Sequence, residues 1–140
     1  MLGFTLVEVV MSLAIVAFLF GGIVAAFVQS GNRAEWSGYS LAAQALAIQR
    51  LEQARSAKWD IMDTPVVNEL TNLPSVLTNI LDIPISGTNA VIATNFVTIS
   101  SIPISTTPLI TVQMVQVNTV WPFRGKLFTN TIANYYAPDR

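Results

Sequence analysis

The chain contains no cysteine and no histidine. Disulfides, redox dithiols, Ser-His-Asp and Cys-His nucleophile systems, and His- or Cys-based zinc and haem sites are therefore excluded. Charge is scarce as well: 11% of the 140 residues are charged, against roughly 25% in an ordinary soluble domain. Seven Lys and Arg nearly cancel eight Asp and Glu, leaving a net charge of −1. A nucleic-acid binder neutralises phosphates with a basic surplus, so nucleic acid is not expected as a primary partner. Neither a phosphate-cradling glycine loop nor a nucleophile elbow is present. The remaining Ser, Thr, Tyr and carboxylates show no catalytic pairing, so the chain is not expected to be an enzyme or to carry a cofactor. Proline is missing from the first 64 residues, and all seven prolines fall at Pro65 or later.

What fills that proline-free half is apolar. Val9 to Val28 reads VVMSLAIVAFLFGGIVAAFV, and no charge occurs between Glu8 and Arg33. A helix of about 20 apolar residues matches the ~30 Å hydrocarbon core of a bilayer. A soluble domain of this size could hardly cover a helix that is greasy on every face, so residues 9–28 are expected to span a membrane. The helical pattern continues: Ser40–Lys58 contains neither Gly nor Pro. Trp36, Tyr39, Ala43, Leu46, Ala47 and Ala54 fall on one side at 100° per residue, with Arg50 interrupting the stripe. One helix over residues 4–58 would be about 80 Å long. Gly21, Gly22, Gly31 and Gly38 are its soft points, and Trp36 and Tyr39 follow the span where an aromatic belt is expected.

Composition changes after Asp60. Residues 60–86, broken by Pro65, Pro74 and Pro84, read as loop with a short helix near Val76–Leu81. Ala90–Ser100 and Leu109–Trp121 are rich in β-branched residues and read as strands. In the second, the apolar parity switches between Met114 and Val115, which implies either a bulge or a strand covered on both faces. Pro122-Phe123-Arg124-Gly125 reads as a turn, and Lys126–Tyr136 as the returning strand. The expected fold class is α+β: a long N-terminal helix, its first half transmembrane, packed on a small antiparallel sheet. Residues 83–123 carry no charge at all, a composition that suits contact with other protein subunits and also an ordinary Thr-rich exported β-domain. Trp121, Phe123, Tyr135 and Tyr136 are expected to pack in the core. Asp60, Asp63, Glu69 and Asp82 are spread through loop, without EF-hand spacing, and read as solvated carboxylates and not as a calcium site.

Glu8 stands apart. A charge at mid-bilayer costs about 2.5–3.5 kcal/mol on insertion scales, which makes an ionisable residue beside a span a functional candidate; it can also simply mark the edge of the span. Residues 3–8 read Gly3-Phe4-Thr5-Leu6-Val7-Glu8, followed at once by the apolar helix. This resembles the processing signature of type IV prepilins and of the related pseudopilins of type II secretion. The resemblance covers the first 30 residues in detail and the rest in architecture. It implies that residues 1–3 are a leader and that a prepilin peptidase cuts between Gly3 and Phe4. The same enzyme would methylate the new Phe4 amine. Glu8 would serve subunit assembly by pairing with a Phe4 amine, since opposite charges relieve each other's desolvation in a low-dielectric setting. Pairing with its own Phe4 at i,i+4 and pairing with a neighbour's both remain open. The implied partners are the peptidase, other pilin or pseudopilin subunits, an inner-membrane assembly platform and the lipid bilayer. The implied location is the bacterial inner membrane, with residues 59–140 as a periplasmic domain.

Two features depart from the family pattern. The segment before Phe4 has no basic residue, so either the true start lies upstream or the leader is unusually short; counted naively, Arg33 would be drawn to the cytoplasm, opposite to the family topology. The disulfide that closes a C-terminal loop in some pilins is impossible here, which tilts the reading toward a minor pilin or pseudopilin. Pilus and secretion pseudopilus, and major and minor subunit, are left open. The competing readings are a single-pass anchored domain that binds a ligand or partner without assembling, a secreted domain behind a cleaved signal peptide, and an enzyme. An apolar stretch of this length without a basic n-region or A-x-A site fits a signal peptide poorly.

Overall fold

A computed structural model describes residues 5–81, 90–107 and 109–138. The chain is α+β: a long apolar N-terminal helix whose later turns pack on a small antiparallel sheet. Helix α1 runs from Leu6 to Ser56 and passes through all four glycines without interruption. The chain divides into two compact units within that helix, between Ser37 and Gly38. In the first unit the helical side chains of Leu6–Val28 are all exposed. Among the described residues α1 is the one helix long and apolar enough to cross a membrane, and it fits a membrane anchor.

The second unit joins the last turns of α1 to the strands. Tyr39, Ala43, Ala47, Leu51 and Ala54 are its buried helical positions, spaced by three or four residues as one face of a helix requires. Three of the five are alanine, so the backbone of the helix lies close over the sheet. Leu51 belongs to this face although the sequence stripe omitted it. Tyr39 is core and not membrane belt: it is 6% exposed and packs on Trp121 and Phe123. Trp36 is partly exposed.

Beyond the helix come a two-residue pair, β1 (Trp59–Asp60) and β2 (Val67–Asn68), and a 3-10 turn, η1 (Glu69–Asn72). Four strands follow: β3 (Val76–Ile80), β4 (Ile92–Thr106), β5 (Leu109–Phe123) and β6 (Lys126–Tyr136). They form one antiparallel sheet in sequence order. The short helix expected near Val76–Leu81 is therefore a strand. Five residues cannot nucleate a stable helix alone, and β4 offers a complete ladder from Val76↔Phe96 to Ile80↔Ile92.

Strand β4 continues six residues past its expected end at Ser100, through Pro103. Its β3 ladder stops at Phe96, and past the Val97 amide, which donates to the Ser75 carbonyl, its pairing is with β5, so a proline is tolerated there. For β5 the sequence left a bulge and a strand covered on both faces open; the register shift lies in β4 instead, between Pro103 and Ser105, opposite Thr111 and Ile110. Across the supposed switch β5 is regular. Gln113, Val115, Val117, Thr119 and Trp121 are buried, and the intervening residues are half-buried. The apparent switch arises because Gln113 and Thr119 occupy core-facing positions while Met114 lies on the opposite face. Strand β6 occupies the residues expected of it, and its connection to β5 is a two-residue loop. Arg124 (φ 49°) and Gly125 (φ 76°) both have positive φ, as the type I′ hairpin that suits strand twist requires.

Two apolar clusters lie between helix and sheet. One gathers Ala47, Leu51 and Ala54 with Trp59, Leu70, Val115 and Val117; the other gathers Tyr39 and Ala43 with Leu81, Ala93 and Trp121. A polar chain crosses the same layer. Thr119 donates to Asn95 Oδ1 (2.6 Å), and Asn95 Nδ2 and Arg50 Nη2 both donate to Asn79 Oδ1 (3.3 and 3.1 Å). Asn95 and Thr119 are fully buried, so these bonds remove a desolvation penalty and fix the register of three strands against the helix. Arg50 thereby has a reason to interrupt the apolar stripe. Tyr136 donates to the Leu51 carbonyl at 2.9 Å, and Asn130 donates to the Ser40 carbonyl at 3.3 Å.

Gly38 is helical, and a Cβ added there meets nothing within 4 Å. Gly38→Ala is therefore expected to stabilise the sheet-bearing unit by up to about 1 kcal/mol, by restricting the unfolded chain. A rise in the midpoint of denaturant unfolding of the full chain in detergent checks it; an unchanged or lower midpoint contradicts it.

Candidate functional site

The candidate site lies at the start of α1. Gly3 and Phe4, the expected cleavage and methylation positions, lie outside the described residues. Glu8 is exposed in the first turn of the helix, near the positive end of the helix dipole, where a carboxylate is favoured. Its environment is built by Thr5. The Thr5 amide and the Thr5 hydroxyl both donate to Glu8 Oε2, each at 2.9 Å. In return the Glu8 amide approaches Thr5 Oγ1 at 3.4 Å, and the Val9 amide donates to the Thr5 carbonyl at 3.3 Å. This is a reciprocal capping box, which satisfies amides that the first turn of a helix leaves without partners.

Thr5 was absent from the sequence-predicted site, although the signal was available: Thr-x-x-Glu immediately before an apolar run is the capping-box pattern. Glu8 thus has a local structural task in addition to any intermolecular one. Both bonds from Thr5 end on a single oxygen of a carboxylate that can accept on two. The arrangement holds an anionic group at the N-terminal end of an apolar helix, oriented by its own backbone. Such a group can bind a cation or an amine.

The loop acids expected to be solvated converge on a lysine. Lys58 Nζ pairs with Asp63 and lies 3.6 Å from Asp60. Glu69 accepts from the Lys58 amide at 2.8 Å while its own amide donates to the Lys58 carbonyl at 2.9 Å. The Asp63 carboxylate raises the Lys58 pKa above its ordinary value, and the Met62 amide donated to Asp60 holds that carboxyl low. These contacts fasten the exit of α1 to η1. Asp82 lies outside the described residues, and among those described no three His, Cys, Asp or Glu side chains form a metal-holding group. Of the four aromatics expected in the core, Trp121, Phe123 and Tyr136 lie on the helix side, whereas Tyr135 is exposed on the other face of β6. Tyr135 is one residue out of step with its core-facing neighbour Tyr136, and adjacent strand residues point to opposite faces.

Comparison with protein-family models, with curated proteins and with solved structures gives no match.

Proposed function

We propose that this chain is a structural subunit, not an enzyme, of a type IV pilus or type II secretion pseudopilus. In this reading it is held in the bacterial inner membrane by the first half of α1, cut by a prepilin peptidase between Gly3 and Phe4, and drawn into a helical filament. The observation that carries the proposal is the run Gly3-Phe4-Thr5-Leu6-Val7-Glu8 leading into an apolar helix whose side chains over Leu6–Val28 are exposed among the described residues. The α+β architecture supports it: an apolar helical rod continues into a small sheet-bearing unit of 38–140. The partners are the peptidase, sister subunits, the assembly platform and the bilayer. The missing disulfide favours a minor pilin or pseudopilin.

Two substitutions at Glu8 separate its charge from its capping task. Glutamine at this position still closes a capping box with Thr5 but carries no charge; alanine removes both. If Glu8 pairs with an amine during assembly, both Glu8→Gln and Glu8→Ala are expected to remain processed and membrane-bound and to enter filaments at least about tenfold less than wild type, a factor equivalent to about 1.4 kcal/mol. Immunoblotting of sheared filaments against membranes reads this. Wild-type entry of Glu8→Gln with loss in Glu8→Ala would reduce Glu8 to a cap and contradict the assembly role.

A further inference from the structure

We propose that the face of the sheet turned away from α1 is a self-association surface on which a second copy of this chain docks, sheet against sheet. The register places one residue of each alternating pair on that face. Phe96, Asn118 and Thr131 lie in one cross-strand row, and Thr94 and Val120 in the next. The bonds that Gln116 Nε2 (3.2 Å) and Thr131 Oγ1 (2.7 Å) donate to Asn118 Oδ1 run along the same face. Nothing among the described residues covers it: Ile80, Ile92, Phe96, Thr98, Leu127 and Thr131 are exposed.

Three observations select a second copy as the occupant. First, among the described residues no ionisable side chain other than Tyr135 occurs on this face. A face without charge meets its own image with no like-charge penalty, while an ionised partner would be desolvated without compensation. Second, its polar residues are Thr, Ser, Asn and Gln, each both donor and acceptor. Such a surface is complementary to itself under two-fold symmetry, where the same patch must serve both sides. Third, the size fits. Strands about 4.8 Å apart and same-face residues about 6.8 Å apart give about 33 Å² per face position, and three rows on β3 with five or six on each of β4, β5 and β6 give roughly 600 Å² on each copy. Two copies bury roughly 1,200 Å², the lower bound of specific interfaces, in the aligned sheet packing that twisted sheets adopt. This inference is independent of the filament reading, since it needs neither processing nor the apolar span.

The absence of native cysteine makes the test direct. Thr94→Cys, Thr98→Cys and Thr131→Cys are introduced singly into the full chain, with Glu52→Cys on the exposed side of α1 as control. Each is treated with a short bismaleimide in membranes of a host that has no pilus or secretion apparatus, so that failure of filament assembly cannot affect the result. At least one face cysteine is expected to give cross-linked homodimer about tenfold or more above Glu52→Cys. Adding Asn118→Asp keeps an acceptor for Gln116 and Thr131 but sets like charges against each other across the contact. It is expected to lower cross-linking at least about tenfold. Asn118→Lys is expected to do the same alone, and co-expression of the Asp and Lys chains to restore it, a rescue that misfolding would not permit. Cross-linking equal at the face and at Glu52, indifference to both charges, or capture of a different protein in the native host would each overturn the proposal.

Discussion

Trp121→Ala is expected to destabilise the sheet-bearing unit severely. The side chain is fully buried, its ring lies 5.1 Å from Phe128, 6.0 Å from Tyr39 and 6.3 Å from Phe123, and its Nε1 donates to Asn130 Oδ1 at 2.7 Å. Asn130 in turn bonds Ser40 on the helix. Truncation leaves a cavity in the cluster that joins helix to sheet and deprives Asn130 of its donor, for a cost of about 3–5 kcal/mol. Domains of this size have about 5–15 kcal/mol of stability in total. Trp121→Phe keeps most of the packing and loses the hydrogen bond, so it should cost about 1–3 kcal/mol. Thermal unfolding of the full chain in detergent, followed by near-ultraviolet circular dichroism, should show a drop of more than about 10 °C for alanine and a smaller one for phenylalanine. A shift below about 3 °C for Trp121→Ala would mean that this cluster does not hold the unit together.

The second large effect concerns maturation. If the peptidase recognises the Gly3–Phe4 junction, its site accommodates a residue with no side chain beside the bond that is cut. Gly3→Ala adds a methyl group there, and excluding one carbon from a fitted pocket is worth about 10- to 200-fold in rate. Mature protein is therefore expected to fall by at least about tenfold, with the precursor accumulating in the membrane. Pulse-chase labelling resolved by N-terminal peptide mass reads both species. Processing of Gly3→Ala at the wild-type rate would contradict recognition of this junction.

The second effect rests on a local sequence pattern, whereas the first rests on partners distant in the chain, and local patterns are where the fold was legible. The helical stripe is visible because a period of 3.6 needs only neighbouring residues, and the face through Tyr39, Ala43, Ala47 and Ala54 lies where that period puts it. The β6 strand and its turn follow from Lys126–Tyr136 and the Arg124-Gly125 pair in the same way. What local pattern could not reveal depends on distant partners. Strand β3 exists because β4 pairs with it, and β4 runs through Pro103 because no strand needs an amide there. Arg50 looks like a flaw in an apolar stripe until Asn79, 29 residues away, supplies its acceptor. The candidate site divides along the same line. The Thr5–Glu8 capping box is written in four consecutive positions, whereas pairing with a neighbouring subunit's Phe4 amine would involve another chain and would leave no mark on this one.

Processing of this chain as a prepilin is tested most directly by the mass of its N-terminal peptide after purification from the native host. The expected peptide begins at Phe4 and carries one methyl group on its amine. A peptide that retains residues 1–3 and an unmethylated junction would contradict it and leave an ordinary membrane-anchored domain. A peptide beginning beyond Val28 would equally contradict it, by showing that the apolar stretch is a signal sequence.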